Sequence, residues 1–281
     1  MQVEAYAKVN FTLEVFPVRE DGFHALRSLV VPVGLSDTLV FTQTEDGAIE
    51  SDSPYPGDLA LKAAKTFRSL CHLSSIRRQG LHIHIEKRIP PGAGLGGGSA
   101  DAAATLLAVN SLWNIKLTRE ALAEIGASVG SDVPALVMGG PVVMEGRGEI
   151  VRKVQDLASV WLVIACPDVF SSTKEVYKYA NSRVTDDPGI LYNMCSSLKK
   201  GDLDGVAKAF MNDLTESATL LHPEIARTMA DMREAGALGV QMSGSGSAVV
   251  GLVRDEAHGR QISALMAAKG CKTWCVQTIV R

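Results

Sequence analysis

At 281 residues, 46% hydrophobic and 21% charged, the chain has the make-up of a globular protein of one large or two ordinary domains. A net charge of −3 and a pI near 6.1 exclude the basic footprint of a nucleic-acid or anionic-membrane binder, so any charged ligand has to be held by local geometry. The longest apolar runs, such as residues 160–166, fall far short of a membrane span, and the first residues lack the basic start and apolar core of a signal peptide, so a cytoplasmic protein is expected.

Residues 3–16 alternate into a strand, with Lys8 and Asn10 two apart on one face. On this stretch alone a wet strand face is the favoured reading over a site. The Asp21-Gly22 step marks a turn that carries Phe23 and His24, where an aromatic and a histidine meet either a ligand or the core. Residues 29–33 and 37–42 read as two further strands. A proline-rich loop at 51–58 follows, and Asp58 stands at the N-cap position of a helix over 59–70. Leu81, Ile83 and Ile85 then alternate with His82, His84 and Glu86, the pattern of a strand wet on one face.

Next comes the stretch that organises the chain: Pro91-Gly92-Ala93-Gly94-Leu95-Gly96-Gly97-Gly98-Ser99, ahead of a helix expected from Ala100 to about Asn114. Glycines let the backbone press its N–H groups against a ligand, and the helix start behind them adds unpaired donors and a positive dipole end. The combination predicts an anion cradle, best suited to nucleotide phosphates. Gly92-x-Gly94-x-x-Gly97 matches the dinucleotide fingerprint formally, but the half-wet strand and the two prolines before it are not that motif's context. GxxxxGK[ST] does not occur.

A short helix is expected over 118–129, followed by Gly130-Ser-Asp132-Val-Pro134, where Asp132 serves as a helix cap, a substrate-facing carboxylate or both. Residues 139–149 read as a glycine-flanked hairpin. Residues 161–166 form a buried strand, and a Ser/Thr-capped helix carries Tyr177. Asp186-Asp-Pro-Gly189 breaks the chain before helices near 190–199 and 202–211. Asn212-Asp-Leu-Thr215 and His222-Pro-Glu224 introduce a further helix to about Gly236. Gly239–Ser247 leads into a strand at 248–253, then a helix over 255–269 and a last strand at 273–280. Strands and helices without βαβ alternation argue an α+β chain in two lobes. Five scattered cysteines (71, 166, 195, 271, 275) suit reduced thiols, and the pair 271/275 is spaced CxxxC rather than CxxC; His82 and His84 share a strand face that could bind metal, with solvent-facing alternation the favoured reading.

Four separated segments, in order, resemble the GHMP small-molecule kinases: Ala7–Asn10 their first motif, Pro91–Ser99 their phosphate-binding motif, Gly130–Pro134, and Gly239–Ser247 their third motif. The resemblance spans nearly the whole chain. It implies a two-lobed α+β fold, with an N-terminal nucleotide-binding lobe at 1–155 and a C-terminal substrate lobe at 156–281. It further implies transfer of the ATP γ-phosphoryl to the tertiary C2 hydroxyl of a cytidylyl-methylerythritol, in isoprenoid precursor synthesis. Asp132 would be the catalytic base and Lys8 its partner. Pro91 to Ser99 would cradle the ATP phosphates, with Mg²⁺ bridging them and Ser99 assisting, and Asp58 would lie near adenine. Phe23 and Tyr177 would sandwich cytosine, His24 would bond its edge, and Asn10 would lie near the reacting hydroxyl. Phe23 stands where tyrosine is usual and Asp58 where asparagine is common. Ala100 replaces a frequent serine, and Thr215 a glutamate. A GHMP kinase acting on homoserine, mevalonate or a sugar is the nearest rival, which Phe23, His24 and Tyr177 argue against. A nicotinamide-dependent oxidoreductase and a catalytically silent nucleotide binder are the alternatives from other classes.

Overall fold

The computed structural model describes residues 1–53, 55, 57–70, 79–180 and 187–280. Pro54 and Pro56 of the proline-rich loop, Cys71 and Asp186 lie outside them.

The first sheet is built on two long antiparallel strands, β1 (Gln2–Val18) and β2 (His24–Thr44). The segments expected as two strands at 29–33 and 37–42 are halves of β2. The chain stays extended between them because β1 pairs with both halves, while β2's outer edge changes partner. Its second half pairs with β4 (Gly80–Glu86), itself joined by the short parallel β3 (Ile49–Ser51). Its first half pairs with β5 (Val142–Gly146), which turns back into β6 (Ile150–Lys153). On β1's far side lies the two-residue β8 (Met211–Asn212).

Both faces of β1 are covered. Residues 7–15 are buried without interruption, so the expected wet face is an interior one. Its polar side chains are partnered: Glu14 takes two bonds from Arg27 at 2.7 and 2.8 Å, and Thr12 Oγ1 accepts from the Leu29 N–H at 3.1 Å. This is the condition under which polar groups are tolerated in a core. By contrast, β4 keeps its expected alternation, with His84 exposed beside Asp52.

Four helices layer on this sheet: α1 (Leu59–Leu70), α2 (Gly97–Leu112), α3 (Arg119–Ala127) and α4 (Val133–Met138). Central among them is α2, buried from Ala100 to Leu106 and again at Ala108 and Val109, with alanines that admit β1, α1 and α4 closely. It begins at Gly97, three residues earlier than expected, inside the glycine run.

A second, fully antiparallel sheet has the order β11 (Lys272–Gln277), β7 (Trp161–Cys166), β10 (Val249–Val253), β9 (Gly239–Met242). Around it lie α5 (Thr173–Lys178), α6 (Pro188–Lys200), α7 (Leu203–Ala209), α8 (Thr215–Leu221), α9 (Pro223–Glu234) and α10 (Glu256–Ala268). The helix introduced at Asn212 and His222 is two helices, α8 and α9, broken at His222, and the unexpected elements are β9 here and β8 on the first sheet, each too short or too glycine-flanked to show a period. Ala248 N–H donates to Ala93 C=O at 3.0 Å, which ties the loop before β10 to the glycine loop before α2.

Candidate active site

The site grows out of the interior face of β1. Lys8 Nζ donates to Asn10 Oδ1 at 2.7 Å, Asn10 Nδ2 donates to Ser28 Oγ at 2.8 Å, and Ser28 donates to the Thr12 carbonyl at 2.5 Å. This relay ends on a carbonyl, which can only accept, so it fixes the orientation of the Asn10 amide. The Lys8 side chain is 4% exposed, and its ammonium has one charged partner there, Asp132 Oδ2 at 3.4 Å. Asp132 occupies the N-cap position of α4 but makes no capping hydrogen bond, so its carboxylate is left for Lys8 and the cleft. That resolves the two readings of Asp132: the helix start places the side chain without consuming it.

The glycine loop is fitted around Lys8. The Lys8 N–H donates to Leu95 C=O at 2.9 Å. Gly94 adopts φ +74°, and a Cβ there would meet the Ser243 carbonyl at 2.1 Å, so no other residue lets the two loops approach this closely. Ser243 Oγ donates to Gly94 C=O at 3.0 Å, and Asn212 Nδ2 holds the Ser243 loop through the Met242 and Gly244 carbonyls, each at 2.8 Å. Gly96, at φ +70°, is the N-cap of α2 and has no side chain to occupy the open N–H groups of the first turn. Open N–H donors with a helix dipole behind them are an arrangement that favours an anion.

Two clefts meet here. One of about 430 Å³ is lined by Pro91 to Gly94, Gly96 to Ser99, Asp58, Lys87, Asp101 and Asp132. Leu95 is the exception in its run: its side chain is in the core, and it serves through its backbone. The other cleft, about 820 Å³, is lined by Lys8, Asn10, Phe23, His24, Ser99, Asp132 and Tyr177. Ser99, Asp132 and Thr173 belong to both, so the Lys8–Asp132 pair sits where the two join. Lys8, Asn10, Phe23, His24, Asp58, Asp132, Tyr177 and the 91–99 run except Leu95 therefore each border one of two connected clefts.

His24 Nδ1 lies 2.8 Å from the Phe16 carbonyl, which makes Nδ1 the protonated nitrogen and leaves Nε2 as an acceptor. The His24 and Tyr177 rings are 5.7 Å apart and tilted by 42°. Burial pushes the Tyr177 phenol well above its ordinary range, and the Asp132 carboxylate adds to the effect, so the hydroxyl stays protonated. Phe23 is 55% exposed at the cleft mouth with the Arg147 guanidinium 5.6 Å above its ring. Asp58 Oδ1 caps α1 as expected, accepting from Ala60 N–H at 2.8 Å and Leu61 N–H at 3.3 Å. Its Oδ2 is buried with no partner among the described residues, beside the glycine loop.

Sequence reading missed Ser28, Arg147, Thr173, Lys174 and Gln241. Gln241 donates to the Asn10 and Phe11 carbonyls at 2.8 and 3.2 Å and steadies the strand that carries Lys8. Gln241 lies inside the Gly239–Ser247 segment, Thr173 and Lys174 in the capped helix start before Tyr177, and Arg147 beside the Gly146-Arg-Gly148 turn, but none of these patterns singles out the side chain, and Ser28 stands in no pattern. Among the described residues no three His, Cys, Asp or Glu side chains converge as metal ligands. No helix there is long and apolar enough to cross a membrane.

Comparison with known proteins places this geometry. Residues 58–140 match the family pattern described as GHMP kinases N terminal domain, and residues 194–270 that described as GHMP kinases C terminal. The 4-diphosphocytidyl-2-C-methyl-D-erythritol kinase of Bacillus cytotoxicus is 37% identical over 98% of this chain and 94% of its own. A crystal structure of 4-(cytidine 5'-diphospho)-2C-methyl-D-erythritol kinase superposes with a TM-score of 0.85 at 33% identity, covering 99% of both chains. The homoserine kinase of Cytophaga hutchinsonii shares the fold at a TM-score of 0.78 and 19% identity, over 100% of this chain and 94% of its own.

Proposed function

The chain belongs to the GHMP kinases, and from that premise we propose that it uses ATP to phosphorylate the C2 hydroxyl of 4-diphosphocytidyl-2-C-methyl-D-erythritol, giving the 2-phosphate and ADP. Full-length identity to relatives of that name supports the substrate. The observation that carries the chemistry is the Lys8–Asp132 pair, 3.4 Å apart, at the junction of a glycine-lined and an aromatic-lined cleft. Phosphates in the first and an alcohol in the second would meet at that pair.

In this reading the N–H groups of Gly94 to Ser99 and the start of α2 hold the ATP phosphates. The Asp58 Oδ2 atom, an acceptor without a donor, suits the exocyclic amine of adenine. Phe23 and Tyr177 hold the cytosine face, His24 Nε2 accepts from its amino group, and Asn10 lies near the reacting hydroxyl. Asp132 aligns that hydroxyl on the γ-phosphorus. A carboxylate is a weak base for an alcohol, so the proton leaves late, in a loose transition state. Lys8 offsets charge on the attacking oxygen, an attraction of about 4 kcal/mol at 4 Å and an effective dielectric of 20, before desolvation. Mg²⁺ would be carried by the ATP phosphates and would neutralise their charge, and the Ser99 hydroxyl, on the lining of both clefts, would help hold it. The division into units 1–155 and 156–281 is part of the same proposal, since all strands of the first sheet except β8 precede residue 156 and those of the second follow it.

ADP release from Mg-ATP, followed in parallel with the cytidylyl substrate, mevalonate and homoserine, tests the reading. Turnover with the first alone is expected. Turnover with another acceptor only would keep the kinase chemistry and overturn the roles of Phe23, His24 and Tyr177.

A further inference from the structure

The two ends of the glycine loop are joined behind it by charge. Where β4 ends, the chain turns toward the loop at Lys87-Arg88-Ile89, and Asp37 of β2, fully buried, receives all three residues. Its Oδ1 accepts from the Arg88 and Ile89 N–H groups at 2.6 and 2.8 Å, and its Oδ2 holds Lys87 Nζ. The same ammonium donates to Asp101 Oδ2 at 2.6 Å, on the α2 turn that follows the loop. Lys87 thus closes a ring from strand to helix, with all thirteen residues between it and Asp101, the whole cradle included, inside the closure. A Cβ at Gly97 would come 3.5 Å from Lys87 Nζ, so the ammonium lies directly under the first turn of α2.

We propose that Lys87, Asp37 and Asp101 form a clasp whose work is to position the phosphate loop, with Lys87 and Asp101 as positioning residues for nucleotide binding. This rests on the assignment of the loop to ATP.

The alternative is that Lys87, which borders the phosphate cleft, binds a phosphate oxygen itself. The geometry argues against it: the Lys87 side chain is 12% exposed and its ammonium is held between two carboxylates. The clasp is also costly in simple electrostatic terms. It sets two carboxylates against one ammonium under a polyanion site, and Asp101 Oδ1 is buried with no partner among the described residues. Charge alone therefore says that losing Asp101 should tighten ATP binding. A clasp says the reverse, because the helix start would no longer be tied to the strand end. The two accounts differ in sign.

The test is Asp101→Ala in the full chain. Lys87 keeps Asp37, so no charge is left unpaired, and the fold is retained. Binding of Mg²⁺ with a non-hydrolysable ATP analogue, measured by calorimetry without acceptor, is expected to weaken by about ten-fold or more, the scale of a lost charge-assisted hydrogen bond. KM for the acceptor should move less than about three-fold, and Asp101→Asn, which can still accept from Lys87, should recover most of the affinity. Unchanged or tightened nucleotide binding in Asp101→Ala overturns the clasp, as do equal rises in both KM values. If the analogue binds and Asp101→Ala weakens it while the cytidylyl acceptor is never turned over, the clasp stands and the assigned substrate falls. If the intact protein binds no nucleotide, both fall.

Discussion

Gly96 lies against Lys8: a Cβ built on this glycine would come within 3.0 Å of Lys8 Cγ and 3.1 Å of Cε, and 3.6 Å from Asp132 Oδ2. The glycine loop and the Lys8–Asp132 pair therefore share one packed contact. Gly96→Ala imposes left-handed backbone strain of about 1–2 kcal/mol and pushes Lys8 away from Asp132. A fall of several degrees in Tm and a loss of about ten-fold or more in kcat are expected from thermal unfolding and turnover assays. Wild-type kcat in this variant would show that the contact is not needed.

Asp132→Asn keeps the shape of the side chain and removes its charge. A drop in kcat of about 10²–10⁴-fold is expected, with Kd for the ATP analogue within about three-fold of wild type, since the phosphates are held by the loop. An active Asn variant would remove Asp132 from the chemistry.

Tyr177→Ala takes away one wall of the aromatic cleft and the ring beside His24. Stacking of a base is worth about 1–3 kcal/mol, so KM for the cytidylyl acceptor should rise about 5- to 150-fold. KM for ATP should stay near its starting value. Equal rises in both would place cytosine elsewhere.

Cys166 is buried on β7, and burial pushes its thiol up to about 12. Only the thiolate reacts, so at pH 8 about one part in 10⁴ of this residue is in reactive form before any opening of the fold. Brief alkylation of the native protein at pH 8, read by peptide mass spectrometry, should leave Cys166 unlabelled, while the unfolded chain labels fully. Rapid native labelling would show that the second sheet opens under these conditions.

Much of the molecule is legible along the chain. The five glycines with a helix behind them are a local statement about backbone freedom and open N–H groups, and the structure keeps both. Asp58 as the α1 cap and the alternation of β4 are likewise local. What failed was local reading where the neighbours decide. Lys8, Asn10, Thr12 and Glu14 look like a wet strand face because alternation says only which residues share a face, and what covers that face is set by distant elements. Gln241 reaches Asn10 from more than two hundred residues away. The Asp37 carboxylate looks like any polar strand residue until β4 and α2 bring Lys87 and Asp101 to it.

The sequence by itself determined the glycine run with a helix behind it and the α+β class, because glycine content and period are properties of short stretches; the side chains proposed for phosphoryl transfer came from the resemblance of separated segments to a known family. Only the tertiary structure decided that Asp132 is spared its capping role, that Lys8 is its charged partner, and that two clefts join at that pair. Each of these depends on distances across β1, α2, α4 and the Ser243 loop. Those distances follow from packing the whole chain, since a buried ammonium is tolerable only where separate segments deliver its acceptors.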